Sequence, residues 1–495
     1  MIMGAEPRLG VSDPGPARRP WQPCCARTAT LRACDGAPGS VHRLDPFSLI
    51  SSHGARQAGE ASLRALRVLL VVLLLFALAI GAFFLWARHS EIATIDPSRR
   101  PPADEAVVAK GAELAAIGDC DVCHTVPGGP PYAGGRPIPT PFGTIYSANI
   151  TPDATTGISR WSQAAFRRAM KEGVSRNGDD LYPAFPYDHY AKLGDDDIAA
   201  LYAFLMSRSA VQSRPPANAL IFPLNLRWTV AVWDLLYLDR TPFRPDPKQS
   251  EAWNRGAYLV QGLGHCGDCH TPRDRLGGER TAAAFAGGTA EGWSAPALTA
   301  ASPAPLPWSE AQLFRYLHQG WDTAHGAAAG PMAPVTRDLA RASASDVAAI
   351  ATYVATLEGP GAARPAAAAA TANARPLPTE TVSASPADLG ATLFEGACAN
   401  CHSGISPMVP PHGIDLRRST AIGAPDPTDA IFIVLDGIRP VEGERGPWMP
   451  RFDGAFTDAQ LAALLNYLRA QHSGTPPWSD LDSRIRALRQ SKERS

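Results

Sequence analysis

The chain has 495 residues, which at ordinary domain size predicts about three domains. Its composition, 45% hydrophobic and 19% charged with 43 Gly and 47 Pro, excludes a polytopic membrane protein and describes a globular chain with long Pro/Gly-rich stretches. A formal net charge of −1 lacks the clustered basic surplus that nucleic-acid binding needs, and nine cysteines, an odd number, are too few for a disulfide scaffold.

Residues 1–62 are rich in Pro, Gly and Arg without apolar periodicity and predict a disordered leader; Cys24, Cys25 and Cys34 lie there with no evident partner. Residues 63–88 predict a membrane anchor. Within them 68–87 (VLLVVLLLFALAIGAFFLWA) is twenty residues without a charge, enough at about 1.5 Å per residue to span a hydrocarbon core of about 30 Å. Arg56, Arg64 and Arg67 precede it, so the positive-inside rule puts the N-terminus in the cytoplasm and the remainder of the chain in the periplasm, and Trp86 sits where an interfacial aromatic belongs. A cleaved signal peptide is the rival reading, but such apolar regions are shorter and end in small residues. The leader to residue 67 carries nine Arg and five Asp/Glu, leaving residues 68–495 at −5, a mildly acidic body suited to a basic docking surface.

Six cysteines fall into three copies of Cys-x-x-Cys-His: Cys120 and Cys123 with His124, Cys266 and Cys269 with His270, Cys398 and Cys401 with His402. This pentapeptide reads as a c-type haem attachment site, with two thioethers to one porphyrin and the adjacent imidazole as proximal iron ligand. Zinc knuckles would pair at short spacing, whereas these copies stand more than a hundred residues apart. A thioredoxin-like redox pair would need a βαβ context that none of them has. Three covalently bound haem c groups are therefore expected.

Each copy opens a segment of similar plan. Apolar residues at helical spacing predict helices over 103–117, 249–262 and 386–396 before the three motifs. In the first two segments a Gly-rich stretch follows, then helices opened by Trp161-Ser162 and Trp308-Ser309, then helices over 195–206 and 343–357. The fold class predicted is mostly α, three tandem cytochrome c domains (103–208, 249–358 and 386–474) behind one N-terminal transmembrane helix.

A haem that only carries electrons takes a second axial ligand, commonly Met. Met332 and Met449 stand in Pro-flanked loops before the last helix of domains 2 and 3 and are the expected ligands. In domain 1 the matching position is Phe185, which cannot bind iron. His189, four residues on, is the nearest donor in that loop and would lower that haem's potential. Met170 on the preceding helix, or a five-coordinate haem with His189 at the surface, are the alternatives. Met408 reads as packing, His265 as a propionate neighbour or surface residue, and His318 and His325 have no motif around them.

Between domains 1 and 2, residues 209–248 include an apolar stretch with Trp228, Trp233 and Tyr237. Docking on a partner, lying at the membrane interface, and packing between the two domains all remain open for it. Residues 359–385 read as a semi-extended Ala/Pro linker and 475–495 as a charged tail with a peripheral helix.

Across roughly residues 90–475 the sequence resembles the membrane-anchored three-haem cytochrome c subunits of bacterial periplasmic dehydrogenases. The three haem motifs carry the likeness, with Pro141-Phe142-Gly143-Thr144-Ile145-Tyr146-Ser147-Ala148-Asn149-Ile150-Thr151-Pro152, the Tyr-Pro-Ala-Phe-Pro-Tyr loop at 182–187, Glu291-Gly292-Trp293-x-Ala295-Pro296-x-Leu298-Thr299, and Met449-Pro450. In the alcohol and gluconate dehydrogenase branch the first loop usually carries Met where Phe185 stands. The stretch YPAFPYDH is more similar to cytochrome subunits that partner molybdenum hydroxylases, such as nicotinate or isoquinoline dehydrogenases. The resemblance implies dehydrogenase partner subunits with molybdopterin and iron–sulfur centres, and quinone or a terminal oxidase chain as acceptor. The chain would be an electron-transfer subunit of the inner membrane, single-pass, with no acid, base or nucleophile of its own. The rival readings are a quinone-reducing cytochrome subunit of an alcohol or gluconate type of dehydrogenase, and a haem enzyme acting through an open first haem.

Overall fold

The computed structural model describes residues 51–359, 386–402, 415–439 and 446–494. Cys24, Cys25 and Cys34 of the leader, the Ala/Pro linker from 360 and Met408 lie outside them. Two compact units divide the chain, Met1–Leu78 and Ala79–Ser495. The described part of the first is helix, the N-terminal portion of Ser51–Trp86. Within that helix Arg64–Trp86, 23 residues, is the one stretch among the described residues long and apolar enough to cross a membrane. Most of its large apolar side chains stand exposed.

The second unit repeats one plan three times: an opening helix, a haem-motif turn, and a closing helix that crosses back over the opener. In domain 1 the pair is Glu105–Ile117, started by the Asp104 carboxylate accepting from Ala106 N, and Asp195–Met206. Domain 2 pairs Glu251–Gln261, capped by the Ser250 hydroxyl, with Ala344–Leu357, capped by Ser343. In domain 3 Pro386–Ala397 pairs with Asp458–His472, which Thr457 and Gln460 cap reciprocally. Each crossing is close because the opener carries a glycine at the contact. A Cβ on Gly111, Gly256 or Gly390 would run into the carbonyl of Ala200, Ala349 or Ala463 respectively. Around these points Leu114 and Ile117 pack with Ile198 and Leu201, Leu259 and Val260 with Val347 and Ile350, and Phe394 with Leu461 and Leu465. At about 1.5–3 kcal/mol for each such side chain fully buried, the crossings are the stable frame that holds the haem motifs.

The Trp-Ser expectation holds: Ser162 and Ser309 cap Gln163–Glu172 and Glu310–Gln319. Strands are few and short. Pro137–Thr140 pairs antiparallel with Gly143–Tyr146, which also pairs with Ala219–Leu220; Gly288–Ala290 pairs with Trp293–Ala295, and Trp321–Asp322 with Gly326–Ala327.

Three features differ from the sequence reading. Residues 51–62, expected within a disordered leader, begin the helix Ser51–Trp86, which continues into the apolar stretch. Domains 1 and 2 are not separate bodies but share one hydrophobic core, whereas domain 3 has its own. The charged tail is not peripheral either: Leu481–Arg494 buries Leu481 and Ile485 in the domain 3 core, while Arg489 pairs with Asp453 and Asp458. The helix is amphipathic, and its high charge hid the apolar stripe.

Candidate haem-binding sites

Each haem motif winds into one helical turn just after its opening helix, over Cys120–His124, Gly267–His270 (preceded by Cys266) and Ala399–His402 (preceded by Cys398). Residues three apart on a helix share a face, so each cysteine pair can reach one porphyrin edge. In domain 1 the Nδ1 of His124 donates to the Ala148 carbonyl at 2.6 Å, and in domain 2 the Nδ1 of His270 donates to the Pro296 carbonyl at 2.7 Å. That bond fixes the tautomer and leaves Nε2 as the lone-pair nitrogen a metal requires. Burial also holds both imidazoles below their usual pKa, against the opposing pull of the carbonyl, and so keeps them neutral.

The same backbone cage supports both rings. Gly134 N donates to the His124 carbonyl (2.7 Å) and Gly287 N to the His270 carbonyl (2.8 Å). The threonine after each histidine accepts from the backbone at a matching place, Thr125 Oγ1 from Tyr132 N (3.0 Å) and Thr271 Oγ1 from Phe285 N (3.1 Å). Asn149 ties the first cage down, donating through Nδ2 to Thr156 Oγ1 and the Val211 carbonyl. The sequence reading gave Ala148, Pro296 and Asn149 no role. Their signal was there, since both carbonyl residues sit in the paired motifs that end Asn149-Ile150-Thr151 and Ala297-Leu298-Thr299.

Sites 2 and 3 open on one cavity of about 930 Å³. Cys266, Cys269, His270 and Met332 line it from domain 2, and Cys398, Cys401, His402 and Met449 from domain 3. Small-molecule sites span about 300–1,000 Å³, so this space suits a large planar group. Its walls are mainly apolar, with Leu313, Leu317, Ile350, Val434 and Leu468 among them. The donor set, the neutral imidazole and the apolar cleft together fit haem c. Met449 is held by a reciprocal pair with Ile438, N to O at 2.8 Å and 3.0 Å, and Met332 begins the short helix Met332–Leu339. The buried His325 also lines this cavity and stacks on Trp308 at 3.5 Å between ring centroids. Domain 2 reaches domain 3 beside the cavity: Trp293 lies 5.0 Å from Phe432, and Ser294 N donates to Asp429 Oδ1 at 2.8 Å.

Domain 1 differs at its distal loop. Phe185 packs against the core with its ring edge-on to Tyr190, centroids 5.4 Å apart, and Met170 is buried on Gln163–Glu172. His189, expected as the distal ligand, turns the other way. Its Nδ1 donates to the Gln261 carbonyl at 2.9 Å and its Nε2 meets Glu279 Oε1 at 2.9 Å, with Asp268 Oδ1 at 3.8 Å. Both nitrogens are thus spent on domain 2, and the side chain is only 8% exposed. Burial disfavours its charge, but Asp268, Glu279 and Asp188 outweigh burial and hold its pKa at about 9. His189 is therefore a cation in the joint between the domains. The joint also includes His265, whose Nε2 lies 3.3 Å from the carbonyl of Gly118, the residue that closes helix Glu105–Ile117, and the ion pairs Arg136–Glu291 and Arg341–Asp121.

Known proteins bear on these sites. A family model described as cytochrome c matches residues 108–209, 254–358 and 387–472. A subunit of the nicotinate dehydrogenase of Pseudomonas putida is 45% identical over 81% of this chain, which spans only 33% of that protein's length. The gluconate 2-dehydrogenase cytochrome c subunit of Pantoea cypripedii is 38% identical over 74% of this chain and 86% of its own. The cytochrome c subunit of alcohol dehydrogenase (quinone) from Gluconobacter oxydans is 33% identical over 78% and 83%. The chain belongs to the cytochrome c family, with three tandem domains for three c-type haems.

Proposed function

We propose that this chain is the three-haem electron-transfer subunit of a periplasmic dehydrogenase, taking electrons from its partner and passing them to quinone or a terminal oxidase chain. The shared cavity carries the reading: two haem motifs and two methionines face one space, an arrangement for moving electrons along the chain rather than for binding a substrate. Bound haem supplies a one-electron couple at each site. Cys120, Cys123, Cys266, Cys269, Cys398 and Cys401 hold the three groups covalently. His124, His270 and His402 present the proximal nitrogen, and Met332 and Met449 are the distal ligands at sites 2 and 3. Thioether ligation raises the potential there.

Helix Arg64–Trp86 anchors the chain in the inner membrane as a single pass, with the haem domains in the periplasm. The higher identity to the nicotinate dehydrogenase subunit, together with Phe185 in the first loop, supports a molybdenum hydroxylase as the partner, with molybdopterin and iron–sulfur subunits. One observation favours the alcohol or gluconate type instead: the chain matches the gluconate dehydrogenase cytochrome subunit over 86% of that subunit's length. Purifying the solubilised full chain and identifying the proteins that accompany it separates the two. Molybdopterin and iron–sulfur subunits are expected; a flavin- or quinone-dependent dehydrogenase moves the chain to the second branch, and no dehydrogenase at all overturns the reading.

A further inference from the structure

The interdomain segment leaves an apolar surface uncovered. Phe222 is 78% exposed, Leu235 and Leu236 are each 61% exposed, and Ile221 and Val232 also face outward. Leu276, on a turn of domain 2 and 56% exposed, extends the same surface. Ile221 N donates to the Phe142 carbonyl, Phe142 lies against Gly277, and Tyr237 donates its hydroxyl to Asp274 at 2.6 Å. The segment is not loose. Helix Trp228–Tyr237 buries Val230, Ala231 and Asp234 toward the domains, and the Tyr187 hydroxyl donates to Asp234 at 2.7 Å. The outward side is thus a rigid apolar face that nothing covers among the described residues.

Two observations name its occupant. Trp228 packs edge-on against Phe84 of the apolar helix Ser51–Trp86, with ring centroids 5.7 Å apart. A bilayer that surrounds that helix up to Trp86 therefore meets Trp228 and the surface beside it. Arg275, next to Leu276 in the chain, and Arg240 and Arg244, which follow helix Trp228–Tyr237, are exposed and suit anionic headgroups. Of the neighbouring acids, Asp274 is held by Tyr237 and Asp239 accepts from Thr241 N.

We propose that Ile221, Phe222, Leu235, Leu236 and Leu276 rest in the headgroup–acyl boundary of the membrane, so that domains 1 and 2 lie on the bilayer as well as being tied to it. This rests on the anchor reading of Arg64–Trp86. A face of this kind binds a membrane through its buried apolar area plus attraction to anionic lipid.

The test is photo-crosslinking in native membranes of the full-length haem-loaded chain. p-Benzoylphenylalanine replaces Phe222, Leu236, Leu85 in the apolar helix, or Leu389 on domain 3, one position at a time. Phospholipid adducts, read by mass after purification, are expected from positions 85, 222 and 236 and not from 389. Adducts at 85 alone, or protein adducts at 222 and 236, overturn the proposal while leaving the anchor standing. No lipid adduct at any of the three positions overturns both.

Discussion

Domains 1 and 2 match down to single hydrogen bonds and yet present different distal sides. His124 and His270 are each oriented by a carbonyl and each braced by a glycine N–H and a threonine hydroxyl. Beyond that cage domain 2 offers Met332 to the shared cavity, while domain 1 offers Phe185 and sends the neighbouring His189 into domain 2. The proximal half is built from backbone groups and the threonine beside each histidine, and so is indifferent to the residue opposite. The distal residue is free to change, and in domain 1 the histidine beside it became structural.

The largest expected effect separates the fused pair of domains from the third. Replacing Cys266 and Cys269 by Ser, or Cys398 and Cys401 by Ser, should lower the haem content from three to two per chain, read by pyridine haemochrome assay. The first pair should also weaken the thermal transition of both domain 1 and domain 2, because they share a core. The second pair should leave that transition in place, because domain 3 has its own core. Equal loss in the two variants would break the distinction.

Next comes the joint. His189→Ala removes the cation from a buried set that includes Glu279 and Asp268, and breaking such a set costs about 3–5 kcal/mol. Denaturant unfolding of the full chain should show that loss, with the optical spectrum of the first haem unchanged. A changed axial spectrum would return His189 to the iron.

A smaller effect follows pH. The folded pKa of His189 is about 9, above its ordinary 6.5, as burial is outweighed by Asp268, Glu279 and Asp188. Its contribution is complete below about pH 6.5 and is lost as pH rises through 9. Arg273, paired with Asp268, keeps its charge throughout, and His265, the other histidine near Asp268, is held neutral by burial. The stability difference between the wild type and His189→Gln should therefore shrink between pH 6.5 and pH 9.5. A difference that stays flat would remove the cation from the joint.

The smallest change is local. Phe185→Met should give the first haem the methionine–iron absorption expected at the other two and raise its potential, with little effect on folding. No new band would mean that the residue 185 side chain does not face the iron.

The three haem motifs, the helices around them and the helix openers at Ser162 and Ser309 were legible in the sequence, because each is a local pattern. Met332 and Met449, expected as distal ligands, line the cavity. Contacts distant in sequence were not legible. His189 finds Gln261 and Glu279 at separations of 72 and 90 residues, and no spacing rule reports that. The shared core of domains 1 and 2 and the burial of Leu481 and Ile485 are tertiary choices of the same kind. The crossing glycines Gly111, Gly256 and Gly390 were visible as glycines within the opening helices, a signal the pattern of apolar residues obscured.

The central claim is that three haems serve electron transfer, with two methionine-ligated sites beside one cavity and a first site of another kind. A potentiometric titration of the full chain, followed by optical and EPR spectra, tests it most directly. Two centres with the methionine–iron signature and higher potentials, and a third without that signature, are expected. Three equivalent methionine–iron centres, or fewer than three redox-active haems, would contradict the account.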